Sequence, residues 1–193
     1  MDRSGIFQSL KIPIAFCGIK HSGKSTLGGR LSQILSVPFA DTDELLLKEY
    51  NERHSSPFSS FRDLYREKGK DVFVEYEYLG LSNYLDNIEM PGVIASGGGI
   101  SDNDRAMALL RERTFPVYLV VPFDTLCTRV MSHGTPPFLD QENPRDHFLK
   151  IYNHRDSLYK AVSRIVVEIG NESIEDATNI VYDALKEAPD VWQ

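Results

Sequence analysis

Ile12-Pro13-Ile14-Ala15-Phe16-Cys17-Gly18-Ile19-Lys20-His21-Ser22-Gly23-Lys24-Ser25-Thr26 is the stretch that decides the fold. Its apolar opening, Ile12–Cys17, is too short for a typical helix and reads as a buried strand. Leu27, Leu31, Ile34 and Leu35 then recur at helical spacing. Between strand and helix the loop reads G-x-x-x-x-G-K-S, in the strand–loop–helix setting that this motif requires. Gly18 and Gly23 let the backbone turn tightly and bring its N–H groups against phosphate oxygens. The loop residues His21, Ser22 and Thr26 complete the cradle, and the helix N-terminus adds free donors and a positive dipole end. Lys24 can reach the β- and γ-phosphates, and the Ser25 hydroxyl can ligate Mg²⁺. The ligand indicated is ATP or GTP.

Outward from this loop, short runs rich in Val and Ile alternate with helical patterns. The runs are Ile12–Cys17, Pro38–Ala40, Val93–Ala95, Val117–Val121 and Ile165–Val167, all read as buried strands. Helical spacing recurs in Ala106, Leu109 and Leu110 behind Ser101 and Asp102 as candidate caps, and in Ile174, Ala177, Val181 and Leu185. Alternation of this kind predicts an α/β fold of three layers, with a parallel sheet of about five strands, helices on both faces and a mobile lid. Residues 1–11 read as a loose arm and 12–193 as one domain. The lid is expected at about 132–146, where Ser132-His133-Gly134-Thr135-Pro136-Pro137-Phe138 has loop chemistry. In such sheets ligands sit beyond the carboxyl ends of the strands, and the motifs fall there.

The chain has 193 residues and a formal net charge of −7, which argues against nucleic acid as the main partner. No run of about 18 apolar residues offers a membrane span. The opening residues lack a signal-peptide pattern, so a cytoplasmic location is expected. Cys17 and Cys127 are too few for a disulfide framework.

At the end of the second run stands Asp41-Thr42-Asp43. Strand alternation would put both carboxylates on one side, near the phosphate loop. One could support Mg²⁺ and the other could orient or deprotonate an attacking hydroxyl. A helix cap explains the same residues: Asp41 or Thr42 capping a Glu44–Tyr50 helix, with Asp43 in its first turn. The two readings are compatible. After the third run come Gly97, Gly98 and Gly99, either a flexible turn or a close approach of backbone to ligand.

Gly18–Thr26, Asp41-Thr42-Asp43, Gly97-Gly98-Gly99 and Arg155-Asp156-Ser157-Leu158-Tyr159 occur in the order and rough spacing of shikimate kinases, which the chain resembles from about Ile12 to Leu185. The resemblance implies a monomeric, cytoplasmic, ATP- and Mg²⁺-dependent kinase acting on a small hydroxylated molecule. It implies that Lys24 and Ser25 serve the phosphates and metal, that Asp41 supports the metal, and that Asp43 contacts the accepting hydroxyl. It gives Asp43, Gly97–Gly99 and Arg155 to the substrate, with a substrate-binding helical region at about 43–90. Arg129 matches an arginine placed against adenine, although an exposed helix arginine reads the same way.

Two departures bear on the substrate. Members usually carry F-R-x-x-E, and the chain has Phe73-Val74-Glu75-Tyr76-Glu77. Members usually carry R-P-L-L in the lid, and the chain has Pro136-Pro137-Phe138-Leu139. Valine and proline offer none of guanidinium's donors, and a buried carboxylate stripped of a partner costs about 3–5 kcal/mol. Three explanations follow: a less anionic polyol as substrate, a displaced arginine such as Arg62 or Arg66 helping Arg155, or a nucleotide-binding regulatory module with weak or no kinase activity. A nucleoside-monophosphate kinase would show several lid arginines, and the segment Ser132–Phe138 has none.

Overall fold

The computed structural model describes residues 9–132, 134–136 and 138–193. His133 and Pro137, both read above as lid residues, lie outside the described residues, as do residues 1–8 of the expected arm. The chain order is β1 (Ile14–Cys17), α1 (Lys24–Leu35), β2 (Phe39–Asp41), α2 (Thr42–Arg53), α3 (Phe61–Asn87), β3 (Val93–Ala95), α4 (Asp104–Arg113), β4 (Phe115–Val120), α5 (Phe123–Met131), α6 (Pro144–Val162), β5 (Ile165–Glu168) and α7 (Ile174–Lys186). All strand pairs are parallel and the sheet order is β2-β3-β1-β4-β5. Crossovers toward β2 and away from it must lie on opposite faces if each is right-handed. Accordingly α1 packs with α7 on one face, and α3, α4 and α6 cover the other.

Position in the sheet decides burial. The central strand β1 is inaccessible at every residue. The runs at 38–40 and 165–167, expected as buried, are edge strands instead, and Phe39 and Val166 are 38% and 49% exposed. The helix after β3 is capped by Asn103, whose side chain accepts from Ala106 N, and not by Ser101 or Asp102, which sit in a preceding 3₁₀ turn. The inner end of the expected loose arm is also tied down. Leu10 is buried and bridges to Trp192, and Lys11 N donates to Val191 O at 2.8 Å. Burying Leu10 supplies the reason, since an apolar side chain gains by leaving water.

Helices α2 and α3 form a hairpin over the edge of the sheet with its own apolar cluster of Leu46, Tyr50 and Leu64. Gly69 breaks α3 with φ 82°, a conformation that glycine takes at no steric cost. Where α2 and α3 cross, a Cβ built on Gly80 would stand 2.7 Å from the Leu45 carbonyl carbon and oxygen. Both contacts are backbone, so only separation of the helices would relieve them. Gly80→Ala should therefore destabilise by about 1–3 kcal/mol from overpacking, outweighing the roughly 1 kcal/mol gain in helix propensity. Thermal denaturation checks this against Gly29→Ala in α1, where a Cβ meets nothing within 4 Å and should stabilise.

Candidate active site

β1, β2 and β3 end side by side, with Asp41 level with Ala95 and Phe16 level with Ala95. The loops that leave them therefore meet. The phosphate loop carries three residues at positive φ, Gly18 at 152°, His21 at 67° and Gly23 at 93°. Gly18 is fixed by space, since a Cβ there would stand 2.7 Å from Ser22 Oγ and 2.9 Å from Leu119 O. α1 starts at Lys24 directly after Gly23, so its free N–H groups open onto the loop.

Lys20, His21, Gly23, Lys24, Ser25, Thr26, Asp41, Asp43, Ser96, Gly97 and Gly98 line one cavity of about 230 Å³. A larger cavity, about 610 Å³, lies between α2 and α3 beside Pro38, at the amino end of β2, and none of the motif residues reaches it. The smaller one sits where this sheet class binds ligands.

Inside it, Lys24 is 6% exposed and its Nζ donates to Ile19 O at 3.0 Å. Burial pushes its pKa down to about 8, so it still carries charge near neutrality. Ser25 Oγ donates to Asp41 Oδ2 at 2.7 Å. Asp41 also caps α2, its Oδ1 accepting from Asp43 N at 3.0 Å. Cap and site are thus one structure: β2 ends at Asp41, and the first turn of α2, not strand alternation, aims Asp43 into the cavity. Asp43 meets Gly97, where a Cβ would stand 2.6 Å from its Oδ1. Gly98 is as confined, 2.8 Å from Lys20 N on the same test. The glycine turn is therefore crowded by its protein neighbours, with no room for a Cβ at Gly97 or Gly98.

The remaining motif residues stand around this cavity. Ser22 is buried beneath the loop. Arg129 donates to His21 O at 3.3 Å and to Gly170 O, which places it on the far side of the phosphate loop. Arg155 Nη1 donates to Gly98 O at 2.9 Å and its Nη2 pairs with Asp102 at 2.7 Å, with Gly99 alongside. One turn further along α6, Tyr159 donates to the same Gly98 carbonyl at 3.2 Å. The i, i+4 spacing of Arg155 and Tyr159 puts both on the face that holds the turn.

Sequence reasoning missed what three groups do. Thr42 Oγ1 accepts from Gly97 N at 2.7 Å and fixes the glycine turn to α2. Asn103 Nδ2 donates to Glu77 Oε2 at 2.9 Å and to Val74 O at 2.8 Å. Ser96 is 3% exposed, lines the cavity, and its Oγ has no partner among the described residues. Its place directly before the three glycines was the available signal.

The donor set suits Mg²⁺. Ser25 and Asp41 offer hard oxygens, and Ser96, whose buried Oγ has no partner among the described residues, lines the same cavity. No group of three His, Cys, Asp or Glu converges among the described residues. Such a site would share the ion with phosphate oxygens and water, as Mg²⁺ sites commonly do.

Two acids here are held above their ordinary range. Burial first, then the Asp41 carboxylate, pushes Asp43 up to about 6. Burial pushes Glu77 up to about 7, against its bond from Asn103. From the ordinary carboxyl range up to those values the folded chain binds more protons than the unfolded one, so stability falls as pH rises through that window. Asp63, Asp140 and Glu172 are shifted the other way, so their stabilisation is fully present above about pH 5 and is lost only as pH falls further. The melting temperature of the ligand-free chain should fall between about pH 5 and about pH 7.5, and Glu77→Gln should flatten that fall. A profile unchanged by Glu77→Gln would contradict the assignment.

A family model described as shikimate kinase matches residues 20–186. Shikimate kinase of Clostridium botulinum is 32% identical over 161 residues, covering 82% of this chain and 89% of that protein. Shikimate kinase of Cereibacter sphaeroides is 29% identical over 192 residues, 100% of this chain and 92% of that protein. The shikimate kinase structure of Aquifex aeolicus has a TM-score of 0.68 at 25% identity, over 91% of this chain and 97% of that one. The Acinetobacter baumannii shikimate kinase, solved with shikimate, gives 0.77 at 24%, over 93% and 96%. With the match running from within the phosphate loop to the last turn of α7, this chain belongs to the shikimate kinase family.

Proposed function

We propose that this kinase transfers the γ-phosphoryl group of ATP to a hydroxyl of shikimate or a closely related hydroxylated molecule. The observation that carries the reading is the meeting of Asp43 with the phosphate loop and the glycine turn in one cavity. A protein that only bound nucleotide would not need an acid confined against the glycine turn. The relative solved with shikimate supports the choice of acceptor.

The steps follow from placement. Lys24 leaves the Ile19 carbonyl to neutralise charge between the β- and γ-phosphates. Mg²⁺, held by Ser25 and Asp41, would add charge neutralisation on the same oxygens. The acceptor hydroxyl donates to the Asp43 carboxylate. As its oxygen bonds to the γ-phosphorus, the bond to the bridging oxygen of ADP breaks and the proton passes to Asp43. The backbone around Gly97 and Gly98 bounds the acceptor, held from behind by Thr42, Arg155 and Tyr159. Closure of 132–146 over the site would exclude water that otherwise accepts the phosphoryl group. Nothing in the cavity favours a purely regulatory role, since Val74 and Pro136 lie outside its lining.

Acceptor-dependent release of ADP tests the proposal. Shikimate should stimulate ADP release from MgATP well above the rate with ATP alone. Equal rates with and without every hydroxylated acid or polyol offered would contradict it.

A further inference from the structure

β5 ends the sheet and pairs with β4 alone among the described residues. Its outer side therefore presents backbone N–H and C=O groups that no other strand takes up. The ladder shows which groups these are. Glu168 is level with Val120, and Ile169 N donates to Val120 O at 2.8 Å. Alternate residues of a parallel strand bond the same neighbour. Ile165 and Val167 thus turn their backbone groups to β4, and Val166 and Glu168 turn theirs outward.

The two edges of the sheet differ. β2 has Pro38 directly before it and the α2–α3 hairpin against it. Proline, lysine, bulges and covering elements keep an edge from adding another strand. Ile165-Val166-Val167-Glu168 holds no proline and no lysine, and its Val166 is 49% exposed.

Charge along this edge is complementary to itself when reversed. Arg164 precedes the strand and Glu168 ends it. Two copies set antiparallel about a two-fold axis at Val166 bring each Arg164 opposite the other copy's Glu168, and Val166 opposite Val166. The outward groups of Val166 then exchange both hydrogen bonds with their counterparts. An axis at Val167 would set Glu168 against Val166, and an axis at Glu168 would set the two glutamates together. Glu168 has no ion-pair partner among the described residues. Arg164 has a loose contact with exposed Asp190 at 3.5 Å, a pair that contributes little and is readily exchanged.

We propose that β5 is a self-recognising edge, through which two copies of this chain pair antiparallel about Val166 into one continuous sheet. Such an interface is isologous, each copy giving the contacts that it receives. Four residues a side bury too little for a permanent dimer, so the association is weak and concentration-dependent. β5 lies at the opposite edge from the α2–α3 hairpin, so both cavities stay open. The proposal is independent of the phosphotransfer reading.

Sedimentation equilibrium of the purified chain, from micromolar to millimolar concentration, tests it. The average mass should climb from the 21.9 kDa of one chain toward twice that value. Val166→Lys sets two ammonium groups against each other at the axis and should hold the mass at one chain throughout. Because the Val166 side chain already meets water, the melting temperature of the dilute variant should match wild type. Glu168→Arg and Arg164→Glu should each weaken association by about tenfold, since each turns two attractive cross-strand pairs into repulsive ones. Combining Arg164→Glu with Glu168→Arg should restore it. A wild-type mass of one chain at every concentration in that range would overturn the proposal. So would a dimer indifferent to Val166→Lys, or a double variant no better than either single one.

Discussion

Asp43→Asn should lower acceptor-dependent kcat by about a thousandfold, within the range found for loss of a positioned base, and should leave MgATP affinity within a few-fold of wild type. The two effects separate because Asp43 faces the glycine turn, whereas the phosphates are gripped by the loop and Lys24. Asparagine keeps the volume that Gly97 leaves open and keeps one oxygen acceptor, so the fold of the turn survives. It cannot take a proton. The same residue sets the acid limb: with Asp43 raised to about 6, kcat/KM for the acceptor should fall as pH drops below about that value. Activity of Asp43→Asn within tenfold of wild type would remove the residue from the chemistry.

Lys24→Met should cost at least about a hundred- to a thousandfold in kcat, the scale for deleting one preorganised charge at the transferring group. It should also weaken ATP binding. Its effect on stability should have the opposite sign. Lys24 is buried and its pKa is depressed chiefly by desolvation, so the folded chain bears the cost of holding a cation out of water. Methionine fills similar space without that cost. The variant should melt at the same temperature as wild type or higher while failing to turn over. Loss of activity accompanied by a large fall in melting temperature would make Lys24 a structural residue.

Much of this arrangement was readable from the chain. The five strands and the phosphate loop follow from local patterns, because a strand, a glycine turn and a helix are each specified by neighbours in sequence. Asp41 was read as a cap or as metal support, and the cap is formed: its Oδ1 accepts from Asp43 N while its Oδ2 accepts from Ser25 Oγ. What was not readable depended on tertiary contact. The burial of β2 and β5 depends on their place at the sheet edges, which the order of runs does not state. Leu10 lost its expected freedom only because Trp192 returns to it from the other end of the chain. Ser96 carries no motif of its own, and the bond that Thr42 accepts from Gly97 N appears only once β2 and β3 lie side by side. Arg62 and Arg66 are equivalent in sequence, and only the pairing of Arg66 with Asp63 tells them apart.

Phosphorus NMR of the purified chain with MgATP and shikimate tests the central claim most directly. Transfer to an acceptor held by Asp43 predicts a new phosphomonoester resonance that grows in step with ADP, one for one, with little orthophosphate. ADP appearing with orthophosphate and no ester, or no consumption of ATP at all, would contradict it.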